Sequence, residues 1–165
     1  MKFTYISVPF LLAGAILLGQ EQIQPSAGRA APVADVGLAD ILRQVVEKVD
    51  TQGERFDFMF THKEWDLSMS VVPSVDKKSL WIMAWLDELP KEAARVPRNC
   101  LLRLLATNDA MGNGKFFAYI PNNRRFVLQR AVPYEAIDAK KLKALLQDLA
   151  ETVGETEPVW QVEKW

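Results

Sequence analysis

The sequence predicts an α+β protein with elements in the order α-β-β-β-α-β-β-α, a mostly antiparallel five-stranded sheet packed with helices. Three observations predict it. Residues 56–89 place apolar side chains at every second position, in three runs joined by short polar links. Residues 96–153 then change period twice. A leucine-rich helical stretch gives way to two alternating runs around Pro121-Asn122-Asn123, and a second helical stretch follows. A helical period also precedes the first strand, over about residues 38–51.

The N-terminal segment stands apart from this pattern. Lys2 is followed by an apolar run to Gly19, broken by Thr4, Ser7 and Pro9, and then by a polar stretch rich in small residues. That is the layout of a signal peptide over residues 1–30, with Gly28 and Ala30 suiting cleavage after Ala30. An uncleaved membrane anchor is the alternative, although the run of about 14–17 apolar residues is short beside the ~20 that a spanning helix needs. The expected location is periplasmic or extracellular after cleavage, or membrane-anchored without it. Residues 31–37 read as a linker, 38–154 as the folded domain and 155–165 as a C-terminal tail.

Within the domain, Leu38, Ile41, Leu42, Val45, Val46 and Val49 form one helical stripe, and Gly53 stops it. The strand runs carry Phe56, Phe58 and Phe60, then Trp65, Leu67, Met69 and Val71, then Leu80, Ile82, Ala84 and Leu86. The third run is apolar on both faces, because Trp81, Met83 and Trp85 alternate with its other residues. Pro97 suits the first turn of the next helix. There Leu101, Leu104, Leu105 and Met111 form the expected inner stripe, widened by Leu102 and Ala106. Asn122-Asn123 offers the positive φ values of a tight hairpin. Asp138 caps the last helix, whose inner stripe is Leu142, Leu145, Leu146, Leu149 and Val153 and which Gly154 is expected to end. Trp160 and Trp165 lie in the tail.

Composition narrows the function. Hydrophobic residues at 49% and charged residues at 25% suit one globular domain behind the N-terminal segment. With 20 basic and 21 acidic side chains the net charge is -1, and Arg124-Arg125 alone makes no basic face, so nucleic acid is not an expected partner. The single Cys100 excludes an intrachain disulfide and any zinc site of several thiolates. A Cys100–His62 nucleophile pair would be the enzymatic reading. However, Cys100 lies on the leucine-rich helix and His62 in a polar link. Glu64 and Asp66 share the face of Ser68 and Ser70, while Asp87 and Glu88 are neighbours that point to opposite faces. Asn108-Asp109 near Gly112 and Gly114 lacks the late Glu of a calcium loop. No phosphate-cradling loop or dinucleotide fingerprint occurs. No catalytic residue, cofactor or metal is therefore expected. The candidate surface is Trp81, Met83 and Trp85, which is either core beneath a second layer or a contact face for a partner.

The helix-to-strand run LLRLLATNDAMGNGKFFAYI and the following RRFVLQRAVPYEAIDAKKLKALLQDLAETV resemble the secretion-chaperone-like fold of the Tir chaperone (CesT-type) and YbjN-type proteins, over about residues 38–153. The resemblance implies a non-enzymatic module that binds a partner polypeptide, often as a homodimer. Apart from the resemblance, membrane contact is expected only through the N-terminal segment, if it stays uncleaved. The leader departs from the cytosolic secretion chaperones of this fold and points to an exported relative. A membrane-anchored structural envelope protein is the alternative, and an enzyme of unknown type using His62 or Cys100 is a weaker one.

Overall fold

The structure is a computed structural model that describes residues 37–135 and 137–164. The expected leader over 1–30, most of the linker and Trp165 lie outside the described residues.

Six strands form one antiparallel sheet in the order β1-β2-β3-β4-β6-β5. β2 (Arg55–His62), β3 (Trp65–Pro73) and β4 (Ser79–Glu88) are the expected meander, and β5 (Lys115–Ile120) and β6 (Arg125–Pro133) are the expected hairpin. The additional strand is β1 (Asp50–Gln52), paired with residues 55–57 of β2. All three of its residues are exposed, so no alternation marks it in the sequence.

β1 displaces part of the expected first helix. α1 spans only Leu38–Arg43, and hydrogen bonds from the Val45 and Val46 amides to Leu42 close the turn after it. Val45, Val46 and Val49 are β-branched and stiff, which weakens the helix where the stripe continues. Gly53, at φ 63°, then turns the chain straight into β2. The stripe still faces inward: Leu38, Ile41, Leu42 and Val46 are buried.

α3 (Ala139–Glu155) lies against β2, β3, β4 and β6, and α1 packs on α3. Its Leu142, Leu146, Leu149, Ala150 and Val153 meet Phe58, Phe60, Met69, Val71, Ile82, Ala84 and Leu128 of the sheet. Asp138 caps α3 as expected, accepting from the Lys141 amide at 2.7 Å. Two cations share this face near the β5 side. Lys115 Nζ reaches Asp148 at 3.0 Å and Thr152 at 2.7 Å, and Arg130 Nη1 reaches the other oxygen of Asp148 at 2.6 Å.

Two expected boundaries move. The left-handed residue of the β5–β6 turn is Arg124 (φ 51°), while neither Asn122 nor Asn123 takes a positive φ. Four residues lie between the paired ends Ile120 and Arg125, so the turn places its positive φ at the last of them. α3 also runs one residue past Gly154, to Glu155, and Trp65 packs directly on that glycine. The chain after α3 folds back as α4 (Glu157–Trp160). Trp160 is buried, stands edge-on to Trp65 at 6.0 Å and donates its indole N–H to Val153 O at 2.9 Å.

Candidate functional site: an open strand edge beside an aromatic sheet face

Strand pairing sorts the sheet residues onto two faces. Leu80, Ile82, Ala84 and Leu86 of β4 point to α3 and are buried. Trp81, Met83 and Trp85 point to the opposite face, where each is partly buried. Trp81 meets Phe116 of β5 edge-on at 6.3 Å. Trp85 reaches the other way, across β3 toward β2. Its indole N–H donates to Ser70 Oγ at 2.6 Å, and the Arg55 guanidinium lies 6.0 Å from the ring centroid. Ser70 in turn donates to Asp57, whose other oxygen accepts from Arg55 Nε at 2.9 Å. Ser70 is fully buried. Trp160 does not cover this face; it belongs to the core on the α3 side.

The two edges of the sheet are finished differently. β5 runs beside α2 (Arg98–Met111). Asn108 of α2 turns its amide onto β5: its Oδ1 accepts from the Phe117 amide at 2.6 Å, and its Nδ2 donates to Phe117 O at 3.2 Å. One side chain thus supplies the donor and acceptor that a neighbouring strand would supply.

The β2 edge is left open. β1 pairs with residues 55–57 alone, and among the described residues no strand covers 58–62 on that side. The chain before β1 stands off instead and leaves a groove of about 700 Å³. Val45 and Val46 form one wall, Phe58 and Phe60 lie along the strand, and Met59 (59% exposed) and Thr61 form the lip. The physical reason lies in the register. Extending β1 backwards from Asp50↔Asp57 would set Val49 opposite Phe58, Lys48 opposite Met59, Glu47 opposite Phe60 and Val46 opposite Thr61. Glu47 would then enter the apolar face, and Val46, now buried, would leave it. The protein's own preceding chain is therefore mispatterned for the edge beside it.

The residues weighed for catalysis do not assemble a site. His62 ends β2 in a hollow of about 320 Å³ with Trp65, Glu64, Glu151, Glu155 and Glu157, and its Nε2 is buried without a partner among the described residues. Cys100 is buried on α2 and does not line that hollow. At its rim Lys63 donates to Glu151 at 2.6 Å. This hydrogen bond, with the attraction of the two charges, raises the Lys63 ammonium above its usual pKa and lowers the Glu151 carboxyl below its own. No group of three or more His, Cys, Asp or Glu side chains among the described residues is placed to hold a metal ion.

Sequence reasoning named the β4 face as a candidate, but it could not say which strand is an open edge and did not single out Asn108 as a partner of β5. The alternation of residues 56–60 is the same for a central strand and an edge strand. In sequence Asn108 stands out only beside a failed calcium loop, because its partner, Phe117, belongs to another element.

No protein-family model matches the sequence, and no curated protein matches it. Solved structures do. The chain is similar to a chain in the HopA1–SchA chaperone–effector complex, at 14% identity over 74% of this chain and 88% of that one, with a TM-score of 0.51. It is also similar to a chain in the ExsC–ExsE complex, at 10% identity over 74% and 94%, with a TM-score of 0.54. At these identities the likeness is one of architecture, and it matches the antiparallel sheet and helices described above: the chain has the type III secretion chaperone-like fold.

Proposed function

We propose that this protein is a non-enzymatic polypeptide-binding module that takes up an extended segment of its partner as an added strand on β2. The observation that carries this reading is the contrast between the edges. The β5 edge is capped at Phe117 by Asn108, whereas the β2 edge faces a groove that the protein's own chain is patterned not to fill. An added strand pairs its backbone with residues 58–62 and lays alternate apolar side chains over Phe58 and Phe60, beside Val45 and Val46. The rest of the partner runs over the sheet face of Trp81, Met83 and Trp85, where large side chains of varied shape bury area. The fold supports the reading, since a chaperone–effector complex is among the similar structures.

The test uses reduced, carboxymethylated α-lactalbumin, a permanently unfolded chain, as the probe. Bound probe slows amide exchange at residues 58–62. Changing Trp81→Ala or Trp85→Ala weakens binding by about tenfold, as expected of aromatic anchors. If the probe leaves exchange at 58–62 unchanged up to about 100 µM, the reading fails.

Two parts of the reading concern the molecule's setting. The leader-like residues 1–30 support action after export, and mass spectrometry of the mature N-terminus decides it: an intact Met1 on a soluble cytosolic protein would remove this part. The exposed α2 residues Leu101, Leu102 and Leu105 support a homodimer.

A further inference from the structure

Arg55, Asp57, Ser70 and Trp85 close a ring across three strands. Trp85 donates to Ser70, Ser70 donates to Asp57, Arg55 pairs with Asp57 at 2.7 Å and lies over the Trp85 indole. The ring has two uncommon properties. It is a polar network at a fully buried serine, on a sheet face where the neighbouring Trp81 and Met83 stay partly open. Its carboxylate, Asp57, also lines the groove at the open edge of β2, at the residue where β1 stops covering that edge.

A tryptophan that only filled space would need no such arrangement. An indole lying on a sheet can take several rotamers, and each one it loses on binding a partner costs affinity. Ser70 removes that freedom before the partner arrives. Its side chain is short enough to leave room for the ring, and its hydroxyl accepts from the indole while donating to Asp57, so each bond polarises the next. Arg55 neutralises the carboxylate that anchors the chain.

We propose that Ser70 and Asp57 are positioning residues that hold Trp85 as a preformed anchor for the partner polypeptide, and that through Asp57 the aromatic face of β4 and the open edge of β2 form one continuous site. This rests on the polypeptide-binding reading above, with an unfolded chain as the ligand class.

The experiment compares Ser70→Ala and Asp57→Asn with the unchanged protein and with Trp85→Ala. Two readouts are taken on protein that remains folded by circular dichroism. The first is the Trp85 indole ¹H–¹⁵N resonance and its exchange with water. The second is affinity for reduced, carboxymethylated α-lactalbumin. Both Ser70→Ala and Asp57→Asn shift the indole resonance and speed its exchange, and both weaken binding by about two- to tenfold, the cost of ordering one freed side chain. A purely structural ring would lower thermal stability and leave the affinity of the folded protein untouched. If the indole is released while affinity stays unchanged and Trp85→Ala still loses binding, positioning is overturned and the polypeptide-binding reading stands. If Trp85→Ala binds as tightly as the unchanged protein, the place of Trp85 in that reading falls, and this inference falls with it. An indole resonance unmoved in Ser70→Ala also overturns it.

Discussion

Gly154 shows how one residue carries tertiary information that its type conceals. In sequence it reads as a helix terminator; in the fold it is the next-to-last residue of α3, with an indole against its backbone. A Cβ built there would lie 2.8 Å from Trp65 Nε1. Gly154→Ala would gain about 1 kcal/mol of helix propensity. It would also push Trp65 away from Trp160, and overpacking of this kind costs ~1–3 kcal/mol. We expect a net loss of about 1 kcal/mol, read as a lower urea midpoint at unchanged slope. A stabilised variant would show that Trp65 moves aside freely. Arg124 makes the same point: the turn needs a positive φ at its fourth residue, and the asparagines that favour such a φ stand earlier.

At the scale of elements, α2 departs furthest from its pattern. Its leucines suggested a broad inner face, yet only Cys100 and Leu104 are buried, and Leu101, Leu102 and Leu105 are 40%, 58% and 64% exposed. The helix runs beside β5, where Asn108 satisfies the backbone of Phe117. Asn108→Ala leaves that amide and carbonyl unpaired. A loss of ~1–3 kcal/mol in thermal or urea unfolding is expected, and the uncovered β5 edge makes association concentration-dependent in light scattering. A variant as stable and as monodisperse as the unchanged protein would mean that water replaces the amide at no cost.

At the scale of the whole molecule, two apolar surfaces among the described residues bear on the proposals: the α2 leucines, and the β2 edge with its aromatic face. The proposed self-association and the proposed partner capture therefore use different surfaces. Each α2 leucine buried against a second copy contributes up to ~1.5–3 kcal/mol, and a two-fold interface would use the same three leucines on both sides. Sedimentation equilibrium should then report a dimer that Leu102→Glu with Leu105→Glu converts to monomer, while binding of the unfolded probe is retained. A wild-type protein that stays monomeric at about 100 µM would end this assignment.

The sequence by itself determined the period of nearly every element. Phe58, Phe60, Leu67, Met69, Val71, Leu80, Ile82 and Ala84 declared the meander, and Asp138 with Leu142, Leu146, Leu149 and Val153 declared the last helix, because alternation and helical spacing are local properties of a chain that must bury one face. It also singled out Trp81, Met83 and Trp85, since apolar residues on both faces of one strand are visible without a fold. Only the tertiary structure decided which strand is an edge, that Asn108 caps one edge at Phe117 while residues 46–49 leave the other open, and that Trp85, Ser70 and Asp57 are joined by hydrogen bonds. These features join residues distant in the chain, and a strand's own pattern carries no record of whether another strand lies beside it.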